Sequence, residues 1–339
     1  MKVLRYIVLL LALVIYAGGC STSVMRDLHR TGLVTDDYRY GDLYRLSNLP
    51  QFRAAPPPCP KPQFPARLPD HLYVIGDSFL EPARIDSRDF PTEHYAYTHW
   101  ERPRTVQLHP NRRNVLILES VERHFREHFG QVVNQIRVVS DSTRVQPEKV
   151  AEVRWPQRIR EAEELISAPG IEERLETLLF GNDLFLWLKE QKARFNQHWF
   201  DRVNPKVTVT PNGQHVLYGL DTDSTLIHSS FSPVTDAEVA RLVDSVNATA
   251  ERYKRLGFDE VYLSIIPNKT SILAPELGRY NHLIERVQQH PALRVPVIDV
   301  YTPYQTSRQP VYQVGDSHWT CEGKAIWLQE AAKIFRPAS

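Results

Sequence analysis

The chain has 339 residues, of which 42% are hydrophobic and 24% charged, with a formal net charge of +1 at pH 7. That content suffices for one large α/β domain or two smaller ones. A charge this close to zero leaves no broad electrostatic footprint for nucleic acid, and it neither favours nor excludes an anionic glycan.

Lys2 and Arg5 precede an apolar run from Tyr6 to Ala17, followed by Gly18, Gly19 and Cys20. A charged start, a short greasy middle and a small-residue end are the layout of a secretory signal. The run is about a dozen residues, short of the ~20 that span a bilayer. Ala17-Gly18-Gly19-Cys20 resembles the bacterial lipobox, which implies acylation of Cys20 and a mature N-terminus there. The implied location is the cell envelope, as a lipid-anchored periplasmic or outer-membrane lipoprotein. Ser21 after the cysteine is similar to outer-membrane sorting in proteobacteria. More than one acyl chain would make such an anchor stable. The alternative is an ordinary cleaved signal with an incidental cysteine. Of three cysteines in all, Cys59 and Cys321 then remain, and either a bridge or two free thiols fits the sequence.

Residues 21 to 49 are polar without a persistent period. Prolines crowd the stretch from Pro50 to Pro69, a density that favours an extended, semi-rigid spacer. Residues 21–69 therefore read as a stalk, between a signal at 1–20 and a domain at 70–339.

Within that domain, His71-Leu72-Tyr73-Val74-Ile75 ends at Gly76 as a buried strand would, and Asn114–Leu118 is a second such run. Ile136–Val139 is a third candidate, after a helix over Val121–Phe129. From Glu148 to Phe200 the pattern is helical, and Val207 to Ser229 reads as a hairpin turning at Pro211-Asn212-Gly213. Together they form an insertion over about 141–230. Alternation then resumes: a helix opening on Thr235 and Glu238 and closing at Gly257, a strand over Glu260–Ile266, a helix over Tyr280–Gln289, a strand over Val295–Val300, and a last helix capped by Thr320. Strands separated by helices predict a three-layer α/β/α domain with a mainly parallel sheet. Ligands on such sheets sit at the carboxyl ends of strands, and both Ser78 and Asn268 fall just past strand ends.

Ser78 follows a strand and a glycine, so a sharp turn can expose its hydroxyl and leave backbone N–H groups free for an oxyanion. Such a hydroxyl needs a base to take its proton, and a histidine base needs a carboxylate to fix its tautomer. Asp316 and His318 stand two apart, so in an extended segment both side chains share a face. Ser317, the serine of a second Gly-Asp-Ser at Gly315–Ser317, points away from its neighbour His318 and lacks a preceding strand. Asn268 is a candidate oxyanion donor, with Gly76 and Asp77 beside it and Asp77 also readable as a turn residue. Glu119 and Arg123 fit the rim or a helix-start ion pair, and Tyr280, Asn281 and His282 fit acceptor contacts or a surface helix face. No metal-ligand spacing and no glycine-rich phosphate loop occurs, so neither metal nor cofactor is expected.

Gly76-Asp77-Ser78-Phe79 and Asp316-Ser317-His318 resemble the first and last blocks of the SGNH (GDSL-type) hydrolases. One residue separates the Asp from the His here, where the core pattern has two. Asp316-Ser317-His318-Trp319-Thr320 and the segment Val115–Arg123 are more similar to the SGNH-like proteins of alginate and other exopolysaccharide O-acetylation. In those proteins the Asp-X-His-Trp block precedes the serine block; here it follows. The resemblance covers about residues 71–130 and 258–335. It implies an extracytoplasmic carbohydrate O-acetyltransferase or O-acetylesterase working through an acyl-serine, on a glycan or small ester and beside a polysaccharide-assembly complex. The alternatives are a lipase or esterase, or a non-catalytic assembly lipoprotein with the same fold.

Overall fold

A computed structural model describes residues 2–32, 38–139 and 170–335. The chain divides into two compact units, residues 1–55 with 148–203, and 56–147 with 204–339. The expected single domain at 70–339 is thus interrupted, because the middle of the chain groups with the N-terminal segment.

In the first unit, the helix Lys2–Cys20 packs against the helix Ile171–Phe180. Their approach is close at Gly19, where a Cβ would lie 2.5 Å from the Leu175 side chain. Val3–Cys20 is long and apolar enough to cross a membrane, six residues more than the Tyr6–Ala17 run suggests, and Cys20 is buried and outside any disulfide. Residues 21–52 are not featureless. They hold helices at Thr22–Arg30 and Asp42–Ser47 and bury Leu43, Tyr44, Leu49 and Phe52. A six-residue helix spans under two turns, too few for a period to show. The Tyr44 hydroxyl donates to Glu190 at 2.8 Å, and Arg53 reaches the same carboxylate at 3.3 Å. The helical pattern expected over Glu148–Phe200 is present as Ile171–Phe180 and Asp183–Phe200; its first part, to residue 169, lies outside the described residues.

The second unit is built on a parallel sheet of four strands, β1 (Leu68–Gly76), β2 (Thr92–His99), β4 (Asn114–Val121) and β8 (Glu260–Ile266), in the order β2-β1-β4-β8. Alternation along the strands divides its core. Tyr73, Ile75, Leu116, Leu118, Leu263 and Ile265 face one way, against the helices Glu122–His128 and Asp236–Arg255. Leu72, Val74, Val115 and Ile117 face the other, against Tyr304, Trp319 and the helix Cys321–Ala332. A sheet covered on both faces needs apolar residues at every position, which is why β1 and β4 read as unbroken apolar runs. The architecture is α/β, a mainly parallel sheet flanked by helices.

Several expectations shift. Ile136–Val138 (β5) pairs with β3 (Arg104–Val106) in a separate two-stranded sheet. Val295–Val300 runs along β8 but forms only the bridge Leu263–Val297, with Pro296 unable to donate to a ladder. The helix expected from Tyr280 starts at Leu283, because His282 is left-handed at φ 55°. The hairpin is present as β6 (Val207–Val209) and β7 (Val216–Tyr218), turning through Gly213 at φ 68°. Thr235 caps its helix, but Glu238 turns away to Arg126 at 2.6 Å instead of closing a capping box.

From Pro56 the proline-rich segment belongs to this unit rather than standing clear as a stalk. It has no regular structure between 56 and 64, yet it is fastened by a Cys59–Cys321 disulfide and by Lys61, whose ammonium lies 2.5 Å from Asp89.

Candidate active site

β1 leads outward to β2 and β4 leads outward to β8 on the other side, so the carboxyl ends of β1 and β4 flank the switch point of the sheet, the usual place for a ligand crevice. Ser78 lies there. The turn that carries it is fixed by its neighbour: one Asp77 carboxylate oxygen accepts from Phe79 N–H at 3.2 Å and the other from Val121 N–H at 2.8 Å. The Asp77 N–H donates to Glu119 at 2.9 Å, and the Tyr97 hydroxyl sits 2.8 Å from the Asp77 carbonyl. Gly76 is needed for this, since a Cβ there would lie 2.7 Å from the same Glu119 oxygen. Among the described residues, no acceptor is paired with the Ser78 N–H.

The partner histidine arrives from the opposite end of the chain on a narrow loop. Tyr312 and Trp319 bridge, Gln313 N–H donates to His318 O at 3.0 Å and Thr320 N–H to Val311 O at 2.9 Å. Thr320 then caps the helix Cys321–Ala332. Beneath the loop lies Lys269, 1% exposed, whose ammonium donates to the carbonyls of Gln313 at 2.6 Å, Val314 at 2.9 Å and Asp316 at 3.2 Å. Phe79 packs on both the His318 and the Trp319 rings, at 4.7 and 5.1 Å between centroids.

These two segments meet. Ser78 Oγ is 2.9 Å from His318 Nε2, and His318 Nδ1 is 2.5 Å from Asp316 Oδ1, which also accepts the His318 backbone N–H at 2.8 Å. Burial opposes ionisation of Asp316. The hydrogen bonds and charge of His318, joined by the charge of Arg84, outweigh it and hold the carboxyl well below its usual range. An ionised Asp316 requires the ring proton on Nδ1, so the Nε2 lone pair faces the serine hydroxyl. Arg84 completes the surround, 3.3 Å from the Ser78 carbonyl and 3.3 Å from His318 Nδ1.

The carboxyl of Glu119 behaves oppositely. It is fully buried, and burial, then the Asp77 charge, raise its pKa well above the ordinary value. It is thus a buried carboxyl bonded into the Asp77 turn, not a rim residue.

Of the residues expected here, Ser78, His318 and Asp316 come together, while Ser317 is buried, 1% exposed. Asn268 does not face the serine. It is fully buried, its carbonyl accepting Arg123 N–H at 3.1 Å and its amide donating to Ser230 at 3.0 Å. Gly76 and Asp77 build the turn, with the Asp77 N–H already committed to Glu119. Arg123 pairs with buried Asp221 at 3.1 Å rather than with Glu119. Asn281 ties down the carbonyls of Ser229 and Ser232, Tyr280 is half-buried, and His282 is exposed. Sequence reasoning missed Lys269 and Arg84. A lysine directly behind a buried strand end was the available signal for the first; Arg84 lies in an irregular stretch that gave none.

Spacing gave no metal motif, yet the fold brings His124, Glu127 and His228 together with donor atoms within 4.8 Å of one another. No protein-family model, no curated protein and no solved structure matches this chain.

Proposed function

We propose that this protein is an extracytoplasmic serine-dependent acyl transferase or esterase of SGNH type, acting on carbohydrate O-acetyl groups. The observation that carries the reading is the 2.9 Å contact between Ser78 Oγ and the Nε2 of a histidine whose other nitrogen is held by Asp316. In that arrangement Ser78 Oγ attacks the ester carbonyl while His318 Nε2 accepts the hydroxyl proton. The Ser78 N–H is the donor best placed for the negative charge that develops on the carbonyl oxygen. The imidazolium, steadied by Asp316, then gives its proton to the departing alcohol and leaves an acyl-serine. A second hydroxyl, from a sugar or from water, loses its proton to His318 and takes the acyl group. Transfer and hydrolysis share every step but the identity of that hydroxyl.

The parallel sheet flanked by helices and the sequence blocks at Gly76–Phe79 and Asp316–Thr320 favour the SGNH reading. The charged start and apolar helix ending at Cys20 support export and a lipid anchor in the envelope.

The test is hydrolysis of a chromogenic acetyl ester by the purified chain. Ser78→Ala should lower kcat by at least ~1,000-fold. A variant retaining near-parental turnover would end the assignment. An oligosaccharide acceptor, with acetylated product followed by mass spectrometry, distinguishes transfer from hydrolysis. Rates that climb with acyl length at an interface would indicate a lipase, and absence of turnover on all esters a scaffold.

A further inference from the structure

We infer that His124, Glu127 and His228 form a binding site for a divalent cation of the zinc class. His124 and Glu127 stand three apart on the helix Glu122–His128, so their side chains share one face. His228 comes from the loop after the β6–β7 hairpin and meets the same carboxylate from the other side. His124 Nδ1 lies 3.3 Å from one Glu127 oxygen, and His228 Nε2 lies 3.1 Å from the other. One donor atom from each of the three lies within 4.8 Å of the others; donors around a tetrahedral zinc at ~2.0–2.1 Å are ~3.3 Å apart, so a small side-chain rotation brings the group onto one ion. Two imidazoles and one carboxylate are a donor set suited to zinc, and the partial exposure of all three leaves a fourth position open to water.

Both ligand-bearing segments are held in place by other bonds. Arg126, on the same helix, reaches the Ile227 carbonyl at 3.2 Å and Ser232 Oγ at 3.0 Å, fastening helix to loop on either side of His228. The loop is fixed again by Ser230 N–H, which donates to the Asp221 carbonyl at 3.0 Å. The cation would thus find the backbone of its site already placed, and would add a further tie between helix and loop.

The experiment uses the full chain, purified without a histidine tag and stripped with a chelator, then titrated with Zn²⁺ by calorimetry. One Zn²⁺ per chain should bind, and Co²⁺ in its place should give the intense visible absorption of a tetrahedral site. His228→Ala and Glu127→Gln should each weaken Zn²⁺ by at least ~10-fold, with circular dichroism of the metal-free proteins confirming that both fold. His282→Ala serves as control, because His282 forms a comparable surface contact with Glu285 at 3.1 Å but, among the described residues, joins no second histidine there; it should bind as the parent does. Absence of saturable Zn²⁺ binding, or parental affinity in both variants, would mean that the three side chains are only a hydrogen-bonded His–Glu–His chain and would overturn the assignment.

Discussion

Replacing Lys269 with methionine keeps the length and apolar stem of the side chain and deletes only its ammonium. Three carbonyls then lose their donor, those of Gln313, Val314 and Asp316. An acceptor left unmade inside a protein costs ~1–3 kcal/mol. Val314 is 42% exposed, so water can reach its carbonyl, and two acceptors carry most of the loss. Against this, methionine removes the several kcal/mol that burying an ammonium demands. The two terms are of similar size and largely cancel, leaving a net change of no more than about 2 kcal/mol, or a Tm shift of at most ~8 °C for a domain of this size. Activity should fall further than stability. The three carbonyls belong to the loop that carries Asp316 and His318, and a displacement of ~1 Å at such a pair costs ~100-fold. Assayed on an acetyl ester well below its Tm, Lys269→Met should show a kcat lowered ~10- to 100-fold with KM little changed, because the loop and not the substrate crevice moves. A kcat within twofold of the parent would refute the positioning role.

Two further outcomes follow from the same network. Burial first, then the charges of Asp221 and Glu285, push the Glu122 carboxyl up to about 7 from 4.5, against hydrogen bonds from Ser271 and Asn268. Between those values the folded state holds a proton that the unfolded state has released, so stability falls as pH rises from 4.5 to 7, by roughly 3 kcal/mol in all. Glu122→Gln should remove that slope in denaturant melts taken across the window; a slope equal to the parent's would contradict it. The Cys59–Cys321 disulfide closes a separation of 262 residues, so Cys59→Ser should lose roughly 2–4 kcal/mol. Denaturation midpoints unmoved by this change, or by reductant, would show that the bridge does not constrain the chain.

What the sequence disclosed, and what it hid, follows from the range of the interactions involved. β1 and β4 were legible because a strand buried on both faces is apolar at every position, and the hairpin because Gly213 must take a positive φ. That Ser78, Asp316 and His318 would come together was legible because each sits in a short motif, Gly76–Phe79 or Asp316–Thr320. Asn268 was misread for the opposite reason. Its place at a strand end is shared by binding and by structural residues, and only the tertiary contacts to Arg123 and Ser230 decide between them. Val295–Val300 carried a strand's composition, but Pro296 limits its ladder to one bridge. Lys269, and the meeting of His228 with His124 and Glu127, depend on contacts dozens of residues apart and leave no period to read.

Ser78 and His318 are 240 residues apart in sequence, so their contact exists only as far as these two remote segments are held against each other. Each holding contact reaches the same small region. Lys324, one turn into the helix Cys321–Ala332 that follows His318, donates to the Arg84 carbonyl at 2.6 Å and lies 2.9 Å from Asp89. Lys61 meets Asp89 from the proline-rich side, and Cys59 is bonded to Cys321 at the start of that helix. Arg84 itself returns to the site, touching the Ser78 carbonyl and the His318 ring. The segment from Arg84 to Asp89 is therefore the brace between the serine turn and the histidine loop, with Asp89 buried under two ammonium groups that neutralise it. Placing the prolines against this brace fits their stiffness: an extended segment with little freedom to lose holds Cys59 and Lys61 in position at small entropic cost.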